Sequence, residues 1–183
     1  MTVDRTLSCK CGSVQWQVEP QATGTHLACY CNDCQAYARH LGTDETYLDA
    51  QGGTEIFQTT PANLRFLKGD AHLKCLRLRP DGLLRWYADC CKSPIGNTLN
   101  SPALPFVGLV LPAGGQGFGP IRARVNTGSA KGAVQAKGLA VTVVSFLWRA
   151  ALAKLSGAGR RTPFFDASGA PMAAPLIVSE EQA

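Results

Sequence analysis

Cys29-Tyr30-Cys31-Asn32-Asp33-Cys34 sets three thiols within six residues. That spacing suits a single metal ion, and three thiolates on a tetrahedral zinc leave one position for water or a substrate sulfur. A fourth cysteine from elsewhere in the chain would close the site and make it structural. After the knuckle, Asn32 or Asp33 can cap a short helix through Gln35, Ala36, Tyr37 and Ala38 that stops near Gly42. Asp33 is therefore read as a cap and not as a catalytic acid.

Upstream, Leu7 to Val18 reads as strand and turn. Cys9-Lys10-Cys11-Gly12 carries two thiols round a bend, and Val14, Trp16 and Val18 then alternate with Ser13, Gln15 and Gln17, one set facing in and the other out. Downstream, Thr54 to Thr59 forms a strand entered from a Gly52-Gly53 turn, and Leu64 to Leu67 forms another. The clearest hairpin runs His72 to Arg79 against Leu83 to Ala88, with Asp81-Gly82 as its two-residue loop after Pro80. In that register Pro80 pairs with Leu83, and Cys75 lies across from Ala88. The Cys90-Cys91 pair at the end of the hairpin supplies partners for Cys9 and Cys11. Together they make a closed four-thiolate site tying the N-terminal turn to the central sheet.

Past Asn97 the pattern loosens. Ser101-Pro102, Pro105, Pro112 and Gly114-Gly115-Gln116-Gly117 punctuate short apolar pieces such as Phe106 to Leu111, which reads as a loop covering the sheet. From Gly138 to Leu155 the chain is helical and apolar nearly all round, with Thr142, Ser145 and Arg149 as a narrow polar stripe. Burial on most sides is the expectation for this helix. Attachment to a membrane surface or a dimer partner is the alternative, because Lys154, Arg160 and Arg161 follow the apolar stretch. Pro163-Phe164-Phe165 to Val178, with a Ser168-Gly169 turn, adds a small hairpin, and Glu180 to Ala183 fray.

A chain of 183 residues, 45% hydrophobic and 17% charged, can bury one real core. Met1 to Thr6 hold no apolar run of signal-peptide length, and nothing approaches the roughly 20 apolar residues of a membrane span. The expectation is a cytoplasmic protein, whose eight cysteines stay reduced and cluster on metal rather than in disulfides. The formal charge of +5 is nearer neutral once thiolates bind zinc. Lys and Arg are spread from Arg65 to Arg161 without a run or an aromatic stripe, which argues against nucleic acid as a partner.

The order Cys9-Lys10-Cys11-Gly12-Ser13-Val14, then Cys29-Tyr30-Cys31-Asn32-Asp33-Cys34-Gln35, then a hairpin ending in cysteine before Ser93-Pro94 resembles the glutathione-dependent formaldehyde-activating enzyme family. This GFA, or CENP-V/GFA, resemblance covers roughly residues 7 to 100. It implies a mainly β, Mss4-like fold of antiparallel sheets around zinc, here with a helical C-terminal extension. It also implies a structural zinc held by the early and late cysteine pairs, mapping to Cys9, Cys11 and Cys91. A second zinc with an open side falls on Cys29, Cys31 and Cys34 and is associated with carbon–sulfur chemistry on glutathione adducts. The run Arg85 to Thr98, with the long extension, is similar to the DUF6151-type branch of this superfamily.

One position departs from the family pattern. Its late pair is C-x-x-C, which would put a cysteine where this chain has Ala88. Cys90, adjacent to Cys91, is the favoured replacement, and Cys75 is the other. In a third arrangement Cys90 reaches the knuckle and closes its zinc.

The expected organisation is a zinc-binding domain over residues 1–100 and an extension over 101–183, with a helix near 138–155, packed together as one unit. The expected function is a carbon–sulfur lyase or thiol–aldehyde adduct enzyme with two zincs and a small thiol or glutathione-like adduct as partner. The alternative is a non-catalytic zinc scaffold for partner binding. A third reading makes the vicinal Cys90 and Cys91 a redox or metal sensor. Proton carriers are few. His26, three residues before Cys29, is solvent-facing or beside the site, Tyr30 lines the site or packs, and Arg85 offers a cation to a carboxylate.

Overall fold

Alternation puts the first strands in place. In the computed structural model, which describes residues 5–178, Val14, Trp16 and Val18 are each at most 1% exposed, whereas Ser13 faces solvent and Gln15 and Gln17 are half-buried. The chain runs β1 (Thr6–Ser8), β2 (Gln15–Val18), β3 (Thr25–Cys29), α1 (Asn32–His40), α2 (Asp44–Tyr47), β4 (Thr54–Thr59), β5 (Leu64–Lys68), β6 (Leu73–Arg77), β7 (Leu84–Ala88), β8 (Ser93–Thr98), β9 (Val107–Leu111), β10 (Ala123–Val125), α3 (Leu139–Leu155) and β11 (Pro175–Ile177). The fold is mainly β with a helix near its C-terminal end, as expected. The fraying foreseen for 180–183 lies outside the described residues.

Two sheets face each other across the main core. The smaller has the order β1-β2-β5, and the larger has β10-β3-β4-β9-β8-β7-β6-β11. Pairing is antiparallel throughout except that β10 joins β3, and β11 joins β6, in parallel. Val14, Trp16 and Val18 pack against Phe57, Trp86, Ile95 and Leu109 of the large sheet. The tail adds Phe164, whose ring lies 5.1 Å from that of Trp86. The expected tail turn is present, with Gly169 N–H donating to Asp166 C=O. On the opposite face of the large sheet, Tyr37, Leu41 and Tyr47 of the knuckle region pack against Leu76, Tyr87 and Val110. Tyr37 also donates its hydroxyl to Trp86 C=O at 2.7 Å, fastening α1 to β7.

The β6–β7 hairpin pairs Leu73 with Ala88 and Cys75 with Trp86, two residues away from the expected register. The turn is Arg79-Pro80-Asp81-Gly82, closed by Gly82 N–H on Arg79 C=O at 3.0 Å. Pro80 takes the first central position that its fixed φ favours, and this overrides Asp-Gly. Asp81 and Gly82 are absent from the positive-φ residues, so the alternative two-residue loop is not formed.

Phe106 to Leu111 is not a covering loop, because β9 sits inside the sheet between β4 and β8. Val107, Leu109 and Leu111 are 0% exposed on one face and Val110 is 2% exposed on the other. A strand buried on both faces loses its alternation and reads as a continuous apolar run. The cap of α1 is Cys31, whose sulfur accepts from Cys34 N–H, rather than Asn32 or Asp33.

α3 is not buried on most sides as expected, because one whole face of it is exposed. Its polar Thr142 and its small Ala150 and Ala153 face the protein, each at most 7% exposed. Arg149 reaches inward to Thr25 Oγ1 and Gln58 Oε1. The apolar side chains of the other face stand in solvent. Thr25 and Gln58 supply the acceptors that a half-buried guanidinium needs, and Phe146 packs its ring 5.2 Å from that of Phe106.

Candidate metal centres

The first centre is built by three separate pieces of chain. The Cys9-to-Gly12 turn closes with Gly12 N–H on Cys9 C=O at 2.9 Å, and Gly12 takes the left-handed φ of +73° that the bend requires. Val14 N–H donates to Cys9 Sγ at 3.2 Å, aiming that sulfur back over the turn. On the other side, the chain leaving β7 turns through Asp89-Cys90-Cys91-Lys92. Lys92 adopts φ +57° there, a left-handed conformation without glycine. Ser93 fastens the two sides, its hydroxyl accepting from Lys10 N–H at 2.9 Å and lying 3.2 Å from Cys91 Sγ.

The result gathers Cys9, Cys11, Cys90 and Cys91, with all four sulfurs within 4.8 Å of one another. Neighbouring sulfurs stand 3.4 Å (Cys11–Cys90), 3.6 Å (Cys9–Cys11), 3.8 Å (Cys9–Cys90) and 4.0 Å (Cys90–Cys91) apart. Disulfide sulfurs are bonded at about 2.05 Å. Tetrahedral zinc–thiolate bonds of about 2.3 Å place sulfurs roughly 3.8 Å apart. The set therefore has the spacing of metal ligands, and it could hold one ion. Contact with the Ser13 hydroxyl lowers the Cys11 thiol to about 6.

Cys75 stands apart from this set. It is 2% exposed in β6, and burial pushes its thiol up to about 12, so it stays protonated as a small core side chain. Nor does Cys90 reach the knuckle, since its sulfur partners are Cys9, Cys11 and Cys91.

The second centre is local. β3 ends at Cys29, the chain turns at Tyr30, and Cys31 caps α1, on whose first turn Cys34 sits. Cys29 and Cys31 sulfurs are 3.5 Å apart, and the three sulfurs of Cys29, Cys31 and Cys34 lie within 4.8 Å of one another. No fourth His, Cys, Asp or Glu joins them among the described residues. The helix N-terminus, positive in its dipole, points at this trio and favours thiolates. Hydrogen-bonding contact with the Cys31 and Cys34 sulfurs holds Cys29 far below the usual thiol range, while contacts with Cys29 and Cys31 and burial push Cys34 up.

Two residues that sequence reasoning passed over complete this centre. Asn126, held at φ +55° after β10, donates Nδ2–H to Cys29 Sγ at 3.2 Å. Arg79 of the β6–β7 turn donates to Asp33 Oδ2 at 2.6 Å. With Cys31, Asn126 and Ser129 they border an open groove of about 670 Å³. Asn126 is preceded only by a short parallel strand, and no local motif marks it. Arg79 comes to the groove through the shifted hairpin turn.

The other candidates are accounted for by packing. His26 is 4% exposed, with Nδ1 2.7 Å from Gly119 C=O and Nε2 3.0 Å from Glu55 Oε2. Both its nitrogens face acceptors, so it is neither solvent-facing nor at the sulfurs. Tyr30 donates its hydroxyl to Asp49 Oδ2 at 3.0 Å. Arg85 is 2% exposed, lies over the Tyr37 ring, and bonds Asn97 and Asp33. It has no face left for a ligand carboxylate, and Arg79 is the groove's cation instead.

Over residues 1–174 the sequence matches the model of DUF6151, a family of unknown function. No curated protein matches it. Three chains of solved structures match. One of them, the crystal structure of a Rhodobacter sphaeroides protein, is 18% identical, with the alignment covering 63% of this chain and 91% of that one at a TM-score of 0.43.

Proposed function

We propose that this chain, which belongs to the DUF6151 family, is a two-zinc protein of the GFA type that acts on thiol–aldehyde adducts as a carbon–sulfur lyase. The observation that carries the reading is the difference in ligand number. Four sulfurs meet at Cys9, Cys11, Cys90 and Cys91, whereas three meet at Cys29, Cys31 and Cys34 beside a groove. The first set would hold a structural ion and the second an ion with an exchangeable position. When bound there, zinc would supply Lewis acidity and lower the pKa of a thiol or water.

The chain's own residues do the rest. Cys31, half-buried on the groove side, admits the substrate sulfur, while Cys29 and Cys34 are closed off by packing. Asn126 withdraws charge from Cys29 through its hydrogen bond. That offsets part of the electron donation by which three thiolates weaken Lewis acidity. Arg79, its side chain 64% exposed, offers its guanidinium to a substrate carboxylate such as that of a glutathione-like thiol.

A reducing cytoplasm suits eight free cysteines. No helix among the described residues is long and apolar enough to cross a membrane. Residues 1–100 and 101–183 are read as one unit, because β9 and Asn126 of the second part support the sheet and the knuckle of the first.

Metal analysis with X-ray absorption on the purified chain tests the proposal. We expect two zincs per chain, a mean coordination between three and four sulfurs, and a rise toward four when a small thiol is added. Four sulfurs on both ions before any thiol is added would favour the scaffold reading, and a single zinc per chain would refute the two-site assignment.

A further inference from the structure

We propose that the exposed face of α3 docks in the plane of an anionic lipid bilayer. A surface helix of a water-soluble protein turns its apolar stripe inward and its polar stripe outward. Here the stripes are exchanged. Thr142 bonds Gly138 C=O, and Arg149 bonds β3 and β4. Val141, Val144, Leu147, Trp148, Leu152 and Leu155 stand 47–86% exposed. At 100° per residue these six fall within one half of the helix circumference, opposite Thr142 and Ala153.

Charge selects the occupant. Between Asp89 and Asp166 the chain contains no Asp or Glu, yet nine of its 18 Lys and Arg lie there. Arg122 and Lys137 are exposed at the N-terminal end of α3, and Lys154, Arg160 and Arg161 at its C-terminal end. Among the described residues none of these five forms an ion pair. A second copy of the chain would bring like charges together around the apolar stripe, whereas anionic headgroups complement them.

The helix does not cross the bilayer. Its 17 residues span about 26 Å, and its inner face is tied to the sheet. It therefore lies flat, with Trp148 at headgroup depth, where an amphipathic ring is favoured. This docking rests on α3 alone, independently of the metal centres and of their proposed chemistry.

The test is sedimentation of the full, metal-loaded chain with vesicles of phosphatidylcholine alone or with about a third phosphatidylglycerol. Binding to the anionic vesicles is expected, at least about tenfold weaker to neutral vesicles or at high salt. Brominated lipid should quench tryptophan emission, a signal that comes from Trp148 because Trp16 and Trp86 are at most 1% exposed. Leu147→Glu with Trp148→Glu should abolish binding while the circular dichroism is unchanged. The triple reversal Lys154→Glu, Arg160→Glu, Arg161→Glu, which leaves the apolar stripe intact, should weaken it as well. Absence of binding to either vesicle overturns the proposal. So does a concentration-dependent dimer that Leu147→Glu dissociates and vesicles do not compete away, since a second copy is then the occupant.

Discussion

The two sulfur clusters share a ligand type and differ in how the chain reaches them. Cys11 and Cys90 are 79 positions apart in sequence yet 3.4 Å apart in space, so the first cluster closes a long loop between the small sheet and the β7–β8 turn. Cys29, Cys31 and Cys34 belong to one strand-to-helix corner. An ion in the first cluster would stabilise the tertiary fold, because it bridges elements that otherwise separate on unfolding. An ion in the second would organise a site on a corner already held by β3, by α1 and by the Tyr37–Trp86 hydrogen bond.

The sharpest way to break this contrast is Cys11→Ser. The Cys11 side chain is exposed, so its replacement would cost within about 0.5 kcal/mol if it were only a surface residue. As one of four ligands, it should cost several kcal/mol and unfold much of the chain, read by thermal melting with and without chelator. Next in size is Cys31→Ser, in which serine keeps the N-cap of α1 while the trio loses a ligand. One zinc should be lost by metal analysis with the melting temperature nearly unchanged. Equal destabilisation by the two substitutions would erase the distinction between the clusters.

Asn126→Gly keeps the left-handed backbone and deletes the hydrogen bond to Cys29. It should weaken metal retention at the knuckle about 10- to 100-fold in chelator competition, leaving the first cluster untouched. Lys92→Val should lower stability by roughly 1–2 kcal/mol, because a β-branched side chain is strained at positive φ. Denaturant unfolding reads it, and the loss should persist in the Cys31→Ser background. The smallest effect is at Cys75. With its thiol raised to about 12, it is protonated at pH 8 and should resist iodoacetamide in the folded chain. Peptide mass spectrometry after brief alkylation would detect a labelled Cys75 if β6 were open.

What could be read from the sequence tracks the range of each interaction. Val14, Trp16 and Val18 announce their strand because one face meets the core and the other meets water. The cysteine spacings announce the clusters because ligand geometry constrains neighbours along the chain. β9 looks like a loop in the sequence because burial on both faces erases the two-residue period. The β6–β7 register is ambiguous in the sequence because two turn preferences compete within Pro80-Asp81-Gly82, and only pairing with the sheet decides between them. Asn126 carries no mark, since its role depends on a parallel pairing of β10 with a strand almost a hundred residues earlier. The α3 stripes are visible in the sequence, but which one faces inward depends on Thr25 and Gln58, far away in sequence.

The insertion of β9 between β4 and β8 bears on how the chain is made. Until residues 107–111 leave the ribosome, β3–β4 and β6–β7–β8 have no common strand, and each presents an open edge able to pair with another nascent chain. Closure of the large sheet must wait for a late, non-local pairing, the kind that slows folding. A cell producing this protein therefore has these edges open between the emergence of β8 and the emergence of β9 from the ribosome, an interval in which holdase chaperones would protect the chain.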